Sequence, residues 1–122
     1  MGYYETTEPT FKVNVLGTEY EIYDNVREED DEFFKTCSGY CDKTAKRIAV
    51  TAEPEDSELI DWEAYHTECL RHEIIHAFMH ESGIDANCKF DVIGEDHPEH
   101  MVSWMAIQFP KILKVFQEIN AI

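Results

Sequence analysis

Apolar and polar residues alternate on both sides of Gly17. Phe11, Val13 and Val15 alternate with Lys12 and Asn14, and Tyr20 and Ile22 alternate with Glu19 and Glu21. A period of two marks strands with one buried face, so the stretch predicts a β-hairpin turning near Gly17–Thr18. The acidic run NVREEDDEFFK that follows reads as a loop or short helix facing solvent. SGYCD offers a turn and a short strand. KRIAVTA offers another strand through Ile48 and Val50, closed by Glu53 and Pro54.

The period then lengthens. From Asp56 or Ser57, both good capping residues, a helical pattern runs to Glu81 and Ser82, and Gly83 stands where a left-handed C-terminal cap belongs. Residues 84–96 read as a loop with a short extended piece at KFDVI. His97–Pro98 opens a further helix, with Pro98 suited to its first turn. Pro110 is expected to interrupt that helix, leaving Lys111 to Ile119 as a short final one. No repeat, linker or low-complexity tract divides the chain. The expected class is α+β: one domain over residues 1–122, with a small antiparallel β-sheet followed by two or three helices.

Composition narrows the partners. A 43% hydrophobic and 12% aromatic chain is expected to fold despite its net charge of -16. The 26 acidic residues face only 10 basic ones, and no Lys/Arg cluster of the kind that binds phosphate backbones is present. Nucleic acid is therefore not an expected partner. The charge suits a solvated surface, or one that steers a basic protein or peptide. No stretch resembles a signal peptide or approaches a membrane span, so the expectation is a cytoplasmic protein without membrane contact. In that compartment Cys37, Cys41, Cys69 and Cys88 stay reduced. Cys37 and Cys41 are close enough for a clip, but no second close pair completes a four-cysteine zinc site.

The helical segment carries the chemistry. RHEIIHAFMHESG contains H-E-x-x-H at His72, Glu73 and His76. Residues four apart lie one turn up the same helical face, so both imidazoles can address one cation. Zinc accepts neutral imidazole nitrogens and, when catalytic, keeps a position for water. Glu73 lies beside that position and can take a proton from the water. A shuffled chain of this composition would contain the pattern in roughly one case in twenty-five, so context must add weight. Leu70, Ile74, Ile75, Ala77, Phe78 and Met79 occupy most of the remaining circumference, which predicts a helix buried on most sides. Imidazoles and a carboxylate buried there would be costly without a partner such as a metal. His80 lies too far along the axis to join the same shell and is expected in the pocket wall or on the surface. Cys69 projects toward the same face as a small apolar residue.

Two histidines leave a zinc site one protein ligand short. GEDHPEHMVSW offers Glu95, Asp96, His97, Glu99 and His100 at the opening of the next helix, which antiparallel packing would bring near the metal.

LRHEIIHAFMHESG, followed by PEHMVSWMAIQFPKI, resembles the small phage and mobile-element zincin-like metallopeptidases, compact gluzincins related to the ImmA/IrrE peptidases. VNVLGTEYEI and GYCDKTAKRIAV look similar to that family as well. The resemblance implies a minimal zincin-like fold, a zinc cofactor and hydrolysis of a peptide or protein substrate, in the host cytoplasm if the gene is phage-borne. It makes His72 and His76 ligands, Glu73 the general base and Glu99, on the C-terminal helix, the third ligand, with His100 the alternative. The family's supporting acid or amide falls on Ser103, a departure that lowers ligand basicity. Tyr65, His80 and Tyr40 are the candidates for an oxyanion donor, and KRIAVTA is the expected edge strand for an extended substrate. The runner-up is a non-catalytic zincin-like protein whose acidic surface captures a basic protein.

Overall fold

The computed structural model describes residues 2–84 and 99–122; within the second span, the side chains of Glu99, His100, Val102, Ser103 and Ala106 lie outside the description. The KFDVI segment, Cys88, Glu95, Asp96, His97 and Pro98 fall in the stretch that is not described.

The alternating stretch forms the expected hairpin. Strand β1 (Phe11–Val15) pairs antiparallel with β2 (Thr18–Val26), in a register that sets Val15 opposite Thr18. The turn is therefore Leu16–Gly17, one residue earlier than the pattern indicated. Both residues have positive φ, 53° and 96°, as the favoured two-residue hairpin turn requires. Asn14 Oδ1 accepts a 2.7 Å hydrogen bond from the Gly17 amide and pins the turn.

The sheet order departs from the antiparallel expectation. Strands β3 (Gly39–Asp42) and β4 (Arg47–Thr51) form a second hairpin, and the four strands run β1-β2-β4-β3. β4 pairs parallel with β2 and antiparallel with β3, so the sheet is mixed. The chain leaves β2 through two 3-10 turns, Glu28–Asp30 and Glu32–Lys35, skips one strand position, and folds β4 back into the gap. Burial explains the order. Ile48, Ala49 and Val50 are covered on both faces, which suits a central strand. The short, half-exposed β3 takes the edge.

Helix α1 (Tyr3–Thr6) and the second 3-10 turn lie against one face of the sheet, around Tyr23, Val26, Phe34 and Ala49. The larger core lies on the other face. Val13, Val15, Tyr20, Ile22, Ile48 and Val50 meet α2 (Trp62–Glu81) and α3 (Glu99–Glu118) there. α2 begins later than the expected Asp56 or Ser57. Asp61 accepts from the Ala64 amide at 3.1 Å, a side-chain cap with Glu63 in the first turn. Gly83, at φ 80°, ends the helix as expected, its amide bonded to the His80 carbonyl.

α3 is one helix and passes through Pro110 without ending. Proline removes one backbone bond and strains the preceding turn. Trp104, Ile112, Val115 and Phe116 are buried on both sides of it, and that continuous apolar stripe offsets the local cost. α3 runs antiparallel to α2. Trp104 Nε1 donates to Ser82 Oγ at 2.8 Å, and Arg71 donates to the Ala121 carbonyl at 2.9 Å. No helix of the described residues is long and apolar enough to cross a membrane.

Candidate metal centre

α2 lies across the sheet with Leu70, Ile74, Ala77 and Phe78 buried in the core and Ile75 and Met79 partly covered. The remaining face looks into an open cleft of about 720 Å³ between α2 and β3, where His72, Glu73, His76 and His80 meet Phe33 and the strand Gly39–Asp42.

The potential ligand atoms of His72, Glu73 and His76 all lie within 4.8 Å of one another. His72 Nε2 and His76 Nε2 are 3.1 Å apart, their ring centroids 4.8 Å apart and their planes inclined by 67°. Two nitrogens each at about 2.0–2.1 Å from a tetrahedral ion are separated by about 3.3 Å. The pair thus converges on one point at close to ligand–ligand spacing, and the donor set fits a metal ion.

Burial divides the triad differently from the sequence expectation. His72 and His76 are exposed, whereas Glu73 is only 8% exposed. The burial argument for a metal therefore does not apply to the imidazoles, because their helical face opens on the cleft instead of a neighbouring element. Burial pushes the Glu73 carboxyl up from its ordinary value, and His72 partly opposes the shift. A raised carboxyl is a stronger proton acceptor once ionised.

Gly39 makes room for Glu73. A Cβ built there would stand 3.2 Å from Glu73 Oε2 and 3.3 Å from the Ala49 carbonyl oxygen, tighter than ordinary contact. Nothing in the hydropathy pattern singles out this glycine; its weight comes from the pairing of β3 with β4 beside α2.

The other sequence candidates separate. His80 lines the cleft one turn beyond His76, its Nε2 3.7 Å from Glu81 Oε2. Tyr65 donates to Ser38 Oγ at 2.8 Å beside a smaller cavity that His72 and Glu73 also line. Tyr40 is not a free donor: its hydroxyl and that of Tyr4 converge on Asp31 Oδ2 at 2.6 and 2.5 Å. Cys37 and Cys41 are free thiols, and burial first, then Glu73, drives Cys41 up to about 12. KRIAVTA does not form the edge strand, because β4 lies between β2 and β3. The edge beside the cleft is β3, which has no strand beyond it among the described residues.

Glu99, His100 and Ser103 belong to the first turns of α3, and their side chains lie outside the described residues. The Trp104–Ser82 bond ties this part of α3 to the C-terminal end of α2, six residues past His76.

Comparison with protein-family models, with curated proteins and with solved structures found no match.

Proposed function

We propose that the protein is a zinc metallopeptidase of gluzincin type, with His72 and His76 as ligands and Glu73 as general base. The observation that carries this reading is the convergence of the two Nε2 atoms at 3.1 Å beside a buried carboxylate. By resemblance Glu99 supplies the third ligand, with His100 as its rival, and Ser103 supports an imidazole by hydrogen bonding. Bound zinc would supply a water of pKa about 7 and polarise a peptide carbonyl.

The chain's own residues provide the rest. The outer edge of β3 offers its N–H and C=O groups to an extended peptide, which adds as a further strand across the cleft. Glu73 takes a proton from the attacking water and passes it to the leaving amine as the peptide bond breaks. His80, which lines the cleft one turn beyond His76, is the candidate donor to a developing oxyanion, and Tyr65 would have to exchange its bond to Ser38 to serve in its place.

The test is cleavage of a peptide library by the zinc-loaded protein. Glu73→Gln is expected to lower cleavage at least about a hundredfold and to leave zinc content unchanged. A separate observation favours the second reading, a binding protein without catalysis. An acidic hollow of about 900 Å³, lined by Glu28, Glu29, Glu53, Glu55 and Asp56 together with Arg27 and Lys35, lies apart from the metal group. Wild-type protein that holds one zinc and cleaves nothing would move the conclusion to that reading.

A further inference from the structure

A second cavity of about 230 Å³ adjoins the metal group on the N-terminal side of α2, lined among the described residues by Ser38, Tyr65, Glu68, Cys69, His72 and Glu73. Pockets that hold whole small ligands measure about 300–1,000 Å³, so this one suits a single long side chain. Its position at the start of β3 places it where a peptide paired along that edge would pass.

The lining selects among side chains. The Tyr65 ring and the Cys69 thiol form an apolar wall. Burial raises the thiol, a hydrogen bond with Tyr65 partly opposes the rise, and Glu73 and Glu68 add to it. Glu68 is exposed and adds a carboxylate to the lining; no Lys or Arg is among these residues. An acidic side chain would meet Glu68 and Glu73 with like charge. An aliphatic one would fill the wall but leave Glu68 without a counter-charge. A lysine or arginine lays its methylene stem on the wall and brings its charged head to the carboxylate.

We propose that this cavity is a subsite for a lysine or arginine side chain of the bound peptide, with Glu68 as the residue that selects it. The proposal rests on reading the adjoining cleft as a peptide groove. It names basic peptides as the class that the net charge of -16 would also draw in.

The test separates a local site from the diffuse field. Short alanine-based peptides carrying one arginine, one norleucine or one glutamate are titrated calorimetrically into zinc-loaded Glu73→Gln protein. Cleavage in this variant is expected to be at least about a hundredfold slower, and Glu68 is the carboxylate left in the cavity lining. The arginine peptide is expected to bind about two- to fivefold tighter than the norleucine peptide. Glu68→Gln is expected to erase that preference. Glu19→Gln, which removes the same charge from an exposed position on β2, is expected to keep it. Absence of binding, equal binding of the peptides, or equal effects of the two substitutions overturns the proposal. Zinc content and wild-type cleavage are measured separately. An arginine preference that depends on Glu68, with a wild type that holds zinc but cleaves nothing, would therefore sink the peptidase reading alone.

Discussion

At the scale of single residues, the site is one carboxylate fitted under a glycine. Glu73 is buried against Gly39, where an added Cβ would stand 3.2 Å from its Oε2. Gly39→Val is accordingly expected to displace Glu73 and lower peptide cleavage by about 10- to 100-fold, with zinc content retained, and Gly39→Ala to do so less. Steady-state kinetics of both variants beside a zinc assay checks it. Unchanged kinetics in Gly39→Val would remove the glycine from the account. The triad itself was legible in the sequence, because H-E-x-x-H places two imidazoles on one helical face whatever surrounds the helix. Gly39 was not legible, since its role depends on which strand lies over Glu73, a matter of long-range pairing. The exposure of His72 and His76 is not legible for a related reason: periodicity marks an apolar stripe but not which other face meets a cleft.

At the scale of elements, local patterns read well and their arrangement did not. The β1–β2 hairpin, the C-terminal glycine cap of α2 and the presence of α3 follow from alternation and punctuation in the chain. Strand order does not, because β2 and β4 become parallel neighbours only through burial of Ile48 to Val50 between two other strands. Pro110 does not end α3, because the apolar stripe that continues past it outweighs what helix propensity alone predicts. The end of α2 is anchored to the sheet by Glu81, which accepts from Lys46 Nζ at 2.8 Å, Tyr20 at 2.7 Å and Thr18 at 3.0 Å. Desolvation alone would raise this carboxyl, but the three hydrogen bonds and the Lys46 charge outweigh it and hold it near about 2. A folded value below the unfolded one of about 4.3 adds stability above the unfolded value, and that stability is lost as pH falls from about 5 toward 2. Glu81→Gln should therefore cost on the order of 1–2 kcal/mol at neutral pH, after allowance for solvent screening. It should also flatten the acid limb of stability, as urea unfolding at several pH values would reveal. A variant with the wild-type acid limb would show that the clamp contributes nothing.

At the scale of the whole molecule, a mixed sheet presents its edge strand to an open cleft, and one helix supplies two convergent imidazoles and a carboxylate along it. A net charge of -16 gives the whole chain a field that attracts cations at low ionic strength. Everything functional in this account depends on the two imidazoles sharing one ion. The most direct measurement is metal stoichiometry by native mass spectrometry after zinc loading and desalting. The wild-type protein should carry one zinc. His72→Ala and His76→Ala should each carry none while keeping the wild-type circular dichroism. Glu99→Ala and His100→Ala, measured alongside, identify the third ligand by which of them loses the ion. Stoichiometric zinc retained by both His72→Ala and His76→Ala, or none bound by the wild type, would contradict the assignment of this helix as a metal centre.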